Sequence, residues 1–406
     1  MQRLSQCDSK HLRSSKLTFN GQRFIQEANR LKGQAAVRLF DSKPNISKMA
    51  ADSDVENLSH IVEFGGPSYD HDENTRRQAV DALGSLTDQR AIGPLVGALQ
   101  DENGRVRLSA VAALTRHEAF DPLFDALHSK DNEVRRAAAE ALGQLGNPRA
   151  VPLLIESLRD DDRRVQVAAV ESLARLGEPS IDPLIGALQN TNKNSRRAAA
   201  EALGQLGTPR AVLPLIPVLK DQDWRVSFAA ACALKQLNDL RSLEPFIEVL
   251  GAGSTDVRRV AAEALGQLGN PGAVQPLIRS LFAENSDVRR AAAEALGQLG
   301  NTRAVPPLIE ALTDRFKNVR EVAALALGQI NNTQAVEPLI KALRDPYSDV
   351  REDAALALGQ IGDPRAMDPL KEALEDADQR VQEAASRALQ DITEKSRPLK
   401  RAISIT

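Results

Sequence analysis

The chain has 406 residues, 42% of them hydrophobic but only 3% aromatic, and a net charge of −3. So few rings suit an alanine- and leucine-rich helical stack rather than one large globular core, and a nearly balanced charge favours neither nucleic acid nor an acidic partner. No apolar run reaches the length of a membrane span and no secretory h-region is visible, so the expected compartment is the cytoplasm. Cys7 and Cys232 lie too far apart in sequence to form a metal or disulfide pattern.

Residues 1–48 stand apart. They hold ten Lys/Arg against three Asp/Glu, about +7, and leave about −10 for the remainder. Residues 22–40 can be written as one helix. The segment fits three readings: a disordered basic extension with the natural start at Met49, a transit-like segment, or a basic arm that touches a partner. Residues 49–393 carry a repeat. The polar stretch Glu394–Thr406 is expected to fray.

The repeat is VRRAAAEALGQLG, intact at Val134–Gly146 and Val288–Gly300 and changed once at Ser195–Gly207 and Val257–Gly269. Looser copies open at Thr75, Val106, Val165, Val226, Val319, Val350 and Val381. The spacing is close to 31 residues, which marks a stacked-repeat architecture. The exception is 28 residues between Val106 and Val134, where Arg116-His117-Glu118-Ala119 replaces the usual Gly-x-Pro turn and predicts a local distortion.

Each unit reads as two antiparallel helices, A and B. The first A helix is expected over Asp54–Phe64, with Val55, Leu58, Ile61 and Val62 inward. In a typical A helix, Asn147 caps the start and Pro148 suits the first position. Val151, Leu154, Ile155 and Leu158 then form one apolar face. Pro152 should kink this helix or delay its regular start. In the B helix, Val134, Ala138, Ala141, Leu142 and Leu145 form the buried stripe. Gly143 recurs as Gly84, Gly204, Gly266, Gly297, Gly328 and Gly359, although glycine inside a helix costs about 1 kcal/mol against alanine. That predicts a backbone contact with no room for a Cβ. Gly146 fits a left-handed C-cap. One pair cannot bury its faces alone, so pairs must stack.

The consensus VRRAAAEALGQLGNPRAVPPLIEAL resembles the HEAT repeat, in particular the short HEAT-like repeat of phycobilisome bilin lyases, over roughly residues 54–392. The resemblance implies an all-α, right-handed α-solenoid of about eleven helix pairs. Related hydroxylases place His-Glu dipeptides early in several B helices to hold a di-iron centre. The matching positions here include Arg77-Gln78, Arg136-Ala137, Arg197-Ala198, Phe228-Ala229 and Arg290-Ala291. None is His-Glu, and the one such pair, His117-Glu118, falls in the irregular turn. No metal or other cofactor is expected. A bilin lyase would need arginines for propionates and a carboxylate for the pyrrole nitrogens. Arg196, Arg197, Arg258, Glu201 and Glu263, with Trp224 and Phe228, could supply them, so this reading stays open as the alternative.

Departures from the consensus carry the individual information. Most B helices pair an early arginine with a glutamate four residues on, as in Arg197/Glu201 and Arg259/Glu263, an ordinary surface pattern. The sixth copy reads WRVSFAAACALKQL. Trp224, the only Trp, Phe228 and Cys232 share one helix face, with Phe228 and Cys232 in the arginine and glutamate positions. An apolar stripe ringed by charge has the makeup of a binding hot spot. Near the C-terminus Leu325 and Leu356 replace the glutamate while Glu321 and Glu352 replace the second arginine, turning the face acidic and apolar.

No nucleophile–base pair or phosphate loop is legible. A glutamate follows each arginine pair, where a nucleic-acid groove would keep a bare basic stripe. The expectation is a monomeric, non-enzymatic scaffold holding a peptide or helical segment of a protein in a concave B-helix groove. Its site residues are Trp224, Phe228, Cys232, Arg197, Glu201, Arg259, Glu263, Leu325 and Leu356.

Overall fold

The computed structural model describes residues 45–64 and 73–403, with side chains at 45–62 and 73–395. The basic segment up to residue 44, with Cys7 and the expected 22–40 helix, lies outside the described residues. The array begins slightly before the expected Met49 boundary. Helix Ile46–Ala51 is capped by Asn45, whose side chain accepts from the Lys48 amide.

Eleven A–B pairs follow. The B helices are Glu73–Ser85, Gly104–Arg116, Asn132–Leu145, Arg163–Leu176, Lys193–Leu206, Trp224–Leu237, Thr255–Leu268, Ser286–Leu299, Lys317–Ile330, Ser348–Ile361 and Gln379–Ile403. The last runs past the expected end at residue 393. Lys395 ties it to repeat ten by donating to the Gln360 carbonyl at 2.6 Å. The first A helix, Val55–Phe64, buries Val55, Leu58, Ile61 and Val62 as the spacing requires. In a typical repeat Asn147 accepts from the Arg149 amide at 2.9 Å, a 3-10 turn spans Pro148–Ala150, and the regular A helix opens only at Val151. The proline pair thus delays the helix rather than kinking it.

The chain divides into two compact units. One holds residues up to 153 together with 162–168; the other holds 154–161 and everything from 169 on. In the first unit the 28-residue interval has a local cause. Glu118 turns the chain with φ of +51°, no 3-10 turn forms, and the A helix Phe120–Ala126 starts directly. His117 is spent there as a cap, its Nε2 lying 3.1 Å from the Leu83 carbonyl oxygen.

Two contacts stack the repeats. The first is the glycine inside the B helix. A Cβ on Gly297 would lie 2.9 Å from the Cα and Cβ of Ala326 in the next B helix, and the same is true of Gly266 against Ala295 and Gly328 against Ala357, within 2.8–2.9 Å. Backbone meets backbone, so the helical penalty of glycine is offset by packing density.

The second contact is absent from the sequence reading. Where the next repeat offers an aspartate, the arginine in the column of Arg289 turns away from the surface. Arg289 donates through Nε and Nη2 to both carboxylate oxygens of Asp314 in the next repeat, at 2.7 and 2.9 Å. Its Nη1 donates to the carbonyls of Ala283 and Glu284 in its own A–B turn, at 2.8 and 2.9 Å. Arg196–Asp221, Arg320–Asp345 and Arg351–Asp376 repeat this clamp at 2.7 Å in the second unit, and Arg76–Asp101 does so in the first. In repeat three Ser129 occupies the aspartate column, so Arg107 reaches instead to the N-cap Asp131. A cleft of about 750 Å³ opens there over Val96, Leu99, Ala126 and Val134. A planar, bidentate guanidinium is the side chain suited to a half-buried clamp of this kind.

Two predictions follow from this stacking. Gly297→Ala is expected to lose about 1–3 kcal/mol despite better helix propensity, because the new methyl overlaps Ala326. Gly186→Ala, with nothing within 4 Å, is expected to gain about 0.5–1 kcal/mol. Asp314→Ala is expected to cost about 3 kcal/mol by stranding Arg289, only 7% exposed, whereas Arg290→Ala next to it should stay within about 0.5 kcal/mol. Urea denaturation curves of the four variants check both statements.

Candidate functional site

Because the B helices meet at their backbones, their remaining surface presents two columns of side chains, the second arginine and the glutamate four residues on. Arg136–Glu140, Arg197–Glu201 and Arg259–Glu263 pair at 2.6, 3.1 and 2.8 Å. These are half-buried surface pairs, as the sequence implied.

Repeat six interrupts the columns. Its A helix is broken by Pro217 into a four-residue turn of α-helix, Val212–Leu215, and a 3-10 turn, Pro217–Lys220. Asp223 caps the B helix through the Arg225 amide at 3.0 Å. Trp224 follows at the first helical position and is 48% exposed, with the Arg225 guanidinium 4.9 Å from its ring centre. Phe228 and Cys232 are half-buried on the same helix face. Burial pushes the Cys232 thiol up; Lys235 and Arg259 oppose the shift, and Glu263 and Glu201 add to it. Those four charges place Cys232 among the flanking residues named from sequence. Trp224, Phe228, Cys232, Arg197, Glu201, Arg259 and Glu263 therefore share adjacent helices of one unit. Leu325 and Leu356 belong to repeats nine and ten, are half-buried, and form no part of that cluster.

The C-terminal repeats add a group that pattern reading passed over. Asp353 stands where most other copies hold Ala or Val. Burial pushes its carboxyl up to about 7, and Glu321, Glu352 and Asp349 reinforce the rise while Arg380 opposes it. Lys317 and Arg380 bind the rim of this acidic group, reaching Asp349 at 2.6 and 2.9 Å.

Two aromatic residues were also missed. Phe316 and Tyr347 occupy the N-cap column, where most other B helices place Asp or Asn, and neither makes a side-chain cap bond. They are 42% and 51% exposed. Arg315 and Arg289 lie 4.7 and 5.6 Å from the Phe316 ring, and Arg320 lies 5.6 Å from that of Tyr347. The sign in the sequence was an aromatic three residues before Val319 and Val350, visible once the copies are aligned on their valines.

The HEAT-repeat pattern matches residues 68–119, 120–195, 181–253, 243–315 and 305–390, and the chain belongs to the HEAT-repeat family. Among curated proteins none matches it in sequence. Yeast importin-β, Kap95p, is similar in structure at 14% identity and a TM-score of 0.56, over 90% of this chain and 61% of that one. Kap95p bound to RanGDP gives 15% and 0.61 over 91% and 60%, and Kap121p gives 15% and 0.58 over 94% and 50%. The chain thus spans about half to three-fifths of these proteins, and identities this low show the fold alone. No helix among the described residues is long and apolar enough to cross a membrane.

Asp353 sets a pH dependence. Its folded pKa, about 7, lies above the unfolded value of 3.8, so the folded chain holds the proton more tightly. Its contribution to stability is full below pH 3.8 and is lost as pH rises through 7. Asp314 works oppositely. Burial alone would raise it, but Arg289 and the Phe316 amide hold it below the usual carboxylate range, so its contribution falls away only in acid. Asp353→Asn is expected to raise stability at pH 8 by about 1 kcal/mol, discounted for its open side, and to raise it by less than half as much at pH 5, where the folded carboxyl still holds its proton. Melting curves at the two pH values check this.

Proposed function

We propose that this chain is a non-enzymatic scaffold that binds a segment of a partner protein on the B-helix face around Trp224, Phe228 and Cys232. The observation that carries the reading is the exposed Trp224. The chain's single tryptophan stands 48% open to solvent, beside two apolar residues in columns that most other repeats fill with charge. Large, rigid aromatic side chains ringed by ion pairs are the usual anchors of protein interfaces. Arg197, Glu201, Arg259 and Glu263 form the polar rim. Leu325 and Leu356, with the acidic group around Asp353, extend the surface towards the C-terminus. A Kap95 chain of similar fold forms a complex with Nup1, which agrees with protein binding by such stacks.

The 31-residue repeat, like that of the phycobilisome lyases, keeps a bilin-handling role as the competing reading. Against it, the guanidinium groups best placed for propionates are already engaged, Arg197 by Glu201 and Arg196 by Asp221. A monomer completes the reading, supported by the exposed Glu383 and Arg387 on the helix Gln379–Ile403.

Trp224→Ala combined with Phe228→Ala is expected to keep the helical content and melting curve of the wild type. It should weaken the partner captured by the wild-type chain by at least about 2 kcal/mol, roughly thirtyfold in Kd. Unchanged capture by a folded double variant would refute the site. Mixing the wild type with free bilin is expected to give no red-shifted absorption band; a stable coloured complex would favour the lyase reading instead.

A further inference from the structure

The inter-repeat joints from repeat five onward can be compared one by one for the clamp and the glycine contact. The joints five–six, eight–nine, nine–ten and ten–eleven have both: Arg196–Asp221, Arg289–Asp314, Arg320–Asp345 and Arg351–Asp376 on one side. Gly204, Gly297, Gly328 and Gly359 meet Ala233, Ala326, Ala357 and Ala388 on the other. At joint seven–eight the aspartate column holds Ala283. Arg258 there donates to the Leu250 carbonyl of its own repeat at 2.9 Å, and Gly266 still meets Ala295.

Joint six–seven has neither contact. Ser227 stands in the arginine column and turns inward, its hydroxyl donating to the Trp224 carbonyl at 3.1 Å. Ala252 stands in the aspartate column and is exposed. Lys235 replaces the helical glycine, so the two B helices are bridged at their far ends by the Lys235–Glu263 ion pair instead of by backbone contact. The elements around the joint are also weakened. The A helix of repeat six is broken at Pro217, and the turn of repeat seven reads Gly251-Ala252-Gly253. The B helix of repeat seven starts at Ser254 with no side-chain cap bond. A side-chain ion pair tolerates changes of angle that a bidentate clamp and interlocked backbones do not.

We propose that the joint between repeats six and seven is a hinge, at which the stack from repeat five onward bends while the joints that hold both contacts stay rigid. Cys232 faces Arg259 and Glu263 across this seam, so bending alters how open it is. The proposal concerns the chain alone and holds whether or not a partner docks at Trp224. Packed repeats exchange energy chiefly with their neighbours, so a weak joint localises motion rather than loosening the whole array.

The test is a pair of spin-label distance distributions in the full chain with Cys7→Ser and Cys232→Ser. Labels at Gln205→Cys and Gln267→Cys span joints five–six and six–seven. Labels at Gln298→Cys and Gln360→Cys span joints eight–nine and nine–ten, which hold both contacts. The first distribution is expected to be at least twice as broad as the second, and to narrow towards it when Ser227→Arg, Ala252→Asp and Lys235→Gly restore the missing contacts. Equal widths in the unrestored chain overturn the hinge, as does a restored variant of unchanged helical content whose distribution stays broad. Should the restored variant fail to fold, the comparison of the two unrestored pairs decides by itself.

Discussion

The stacking depends on an arginine that is withdrawn from water. At Arg289 one guanidinium holds the A–B turn of its own repeat through Nη1 and the aspartate in the A–B turn of the next through Nε and Nη2, and Arg196, Arg320 and Arg351 do the same. A buried charge is tolerable only when paired and fully hydrogen-bonded. The two sides of the joint therefore cannot slide without breaking several charge-assisted bonds together. That requirement sets register from repeat to repeat, which the apolar stripe cannot do, since alanine packs on alanine with little preference for position.

Once the first arginine and the glycine are committed to stacking, the positions left to vary are the second arginine, the glutamate, the residues at the N-cap and the turn. The departures fall there. Phe228 and Cys232 take the two surface columns, and Trp224, Phe316 and Tyr347 crowd the start of B helices. An aromatic in the cap position gives up a cap worth about 1 kcal/mol. At Phe316 and Tyr347 part of this is offset by stacking over the arginines of the clamp, whose side chains are 9% and 10% exposed, against 17% at Arg196. Repeat six alters the surface columns and the stacking columns at once, so its apolar face and its loose joint coincide.

The apolar spacing made each helix pair legible, and so did the recurrence of glycine at Gly204, Gly266 and Gly297, because a residue that weakens a helix must answer to a neighbour. The cluster of Trp224, Phe228 and Cys232 was legible as a break in pattern. The clamp was not. Arg196 and Arg197 look alike in sequence, and only the direction of each side chain separates a structural arginine from a surface one. Asp353 was passed over because its oddity lies in what surrounds it, three carboxylates drawn from two repeats.

Period, helix type, caps and the buried alanine faces were determined by the sequence alone, since these depend on spacing and on local backbone preference. Which arginine is withdrawn, which joints interlock and how open Trp224 stands were decided by the tertiary structure. These are contacts between residues about 25 positions apart, and their energy exists only when neighbouring repeats meet.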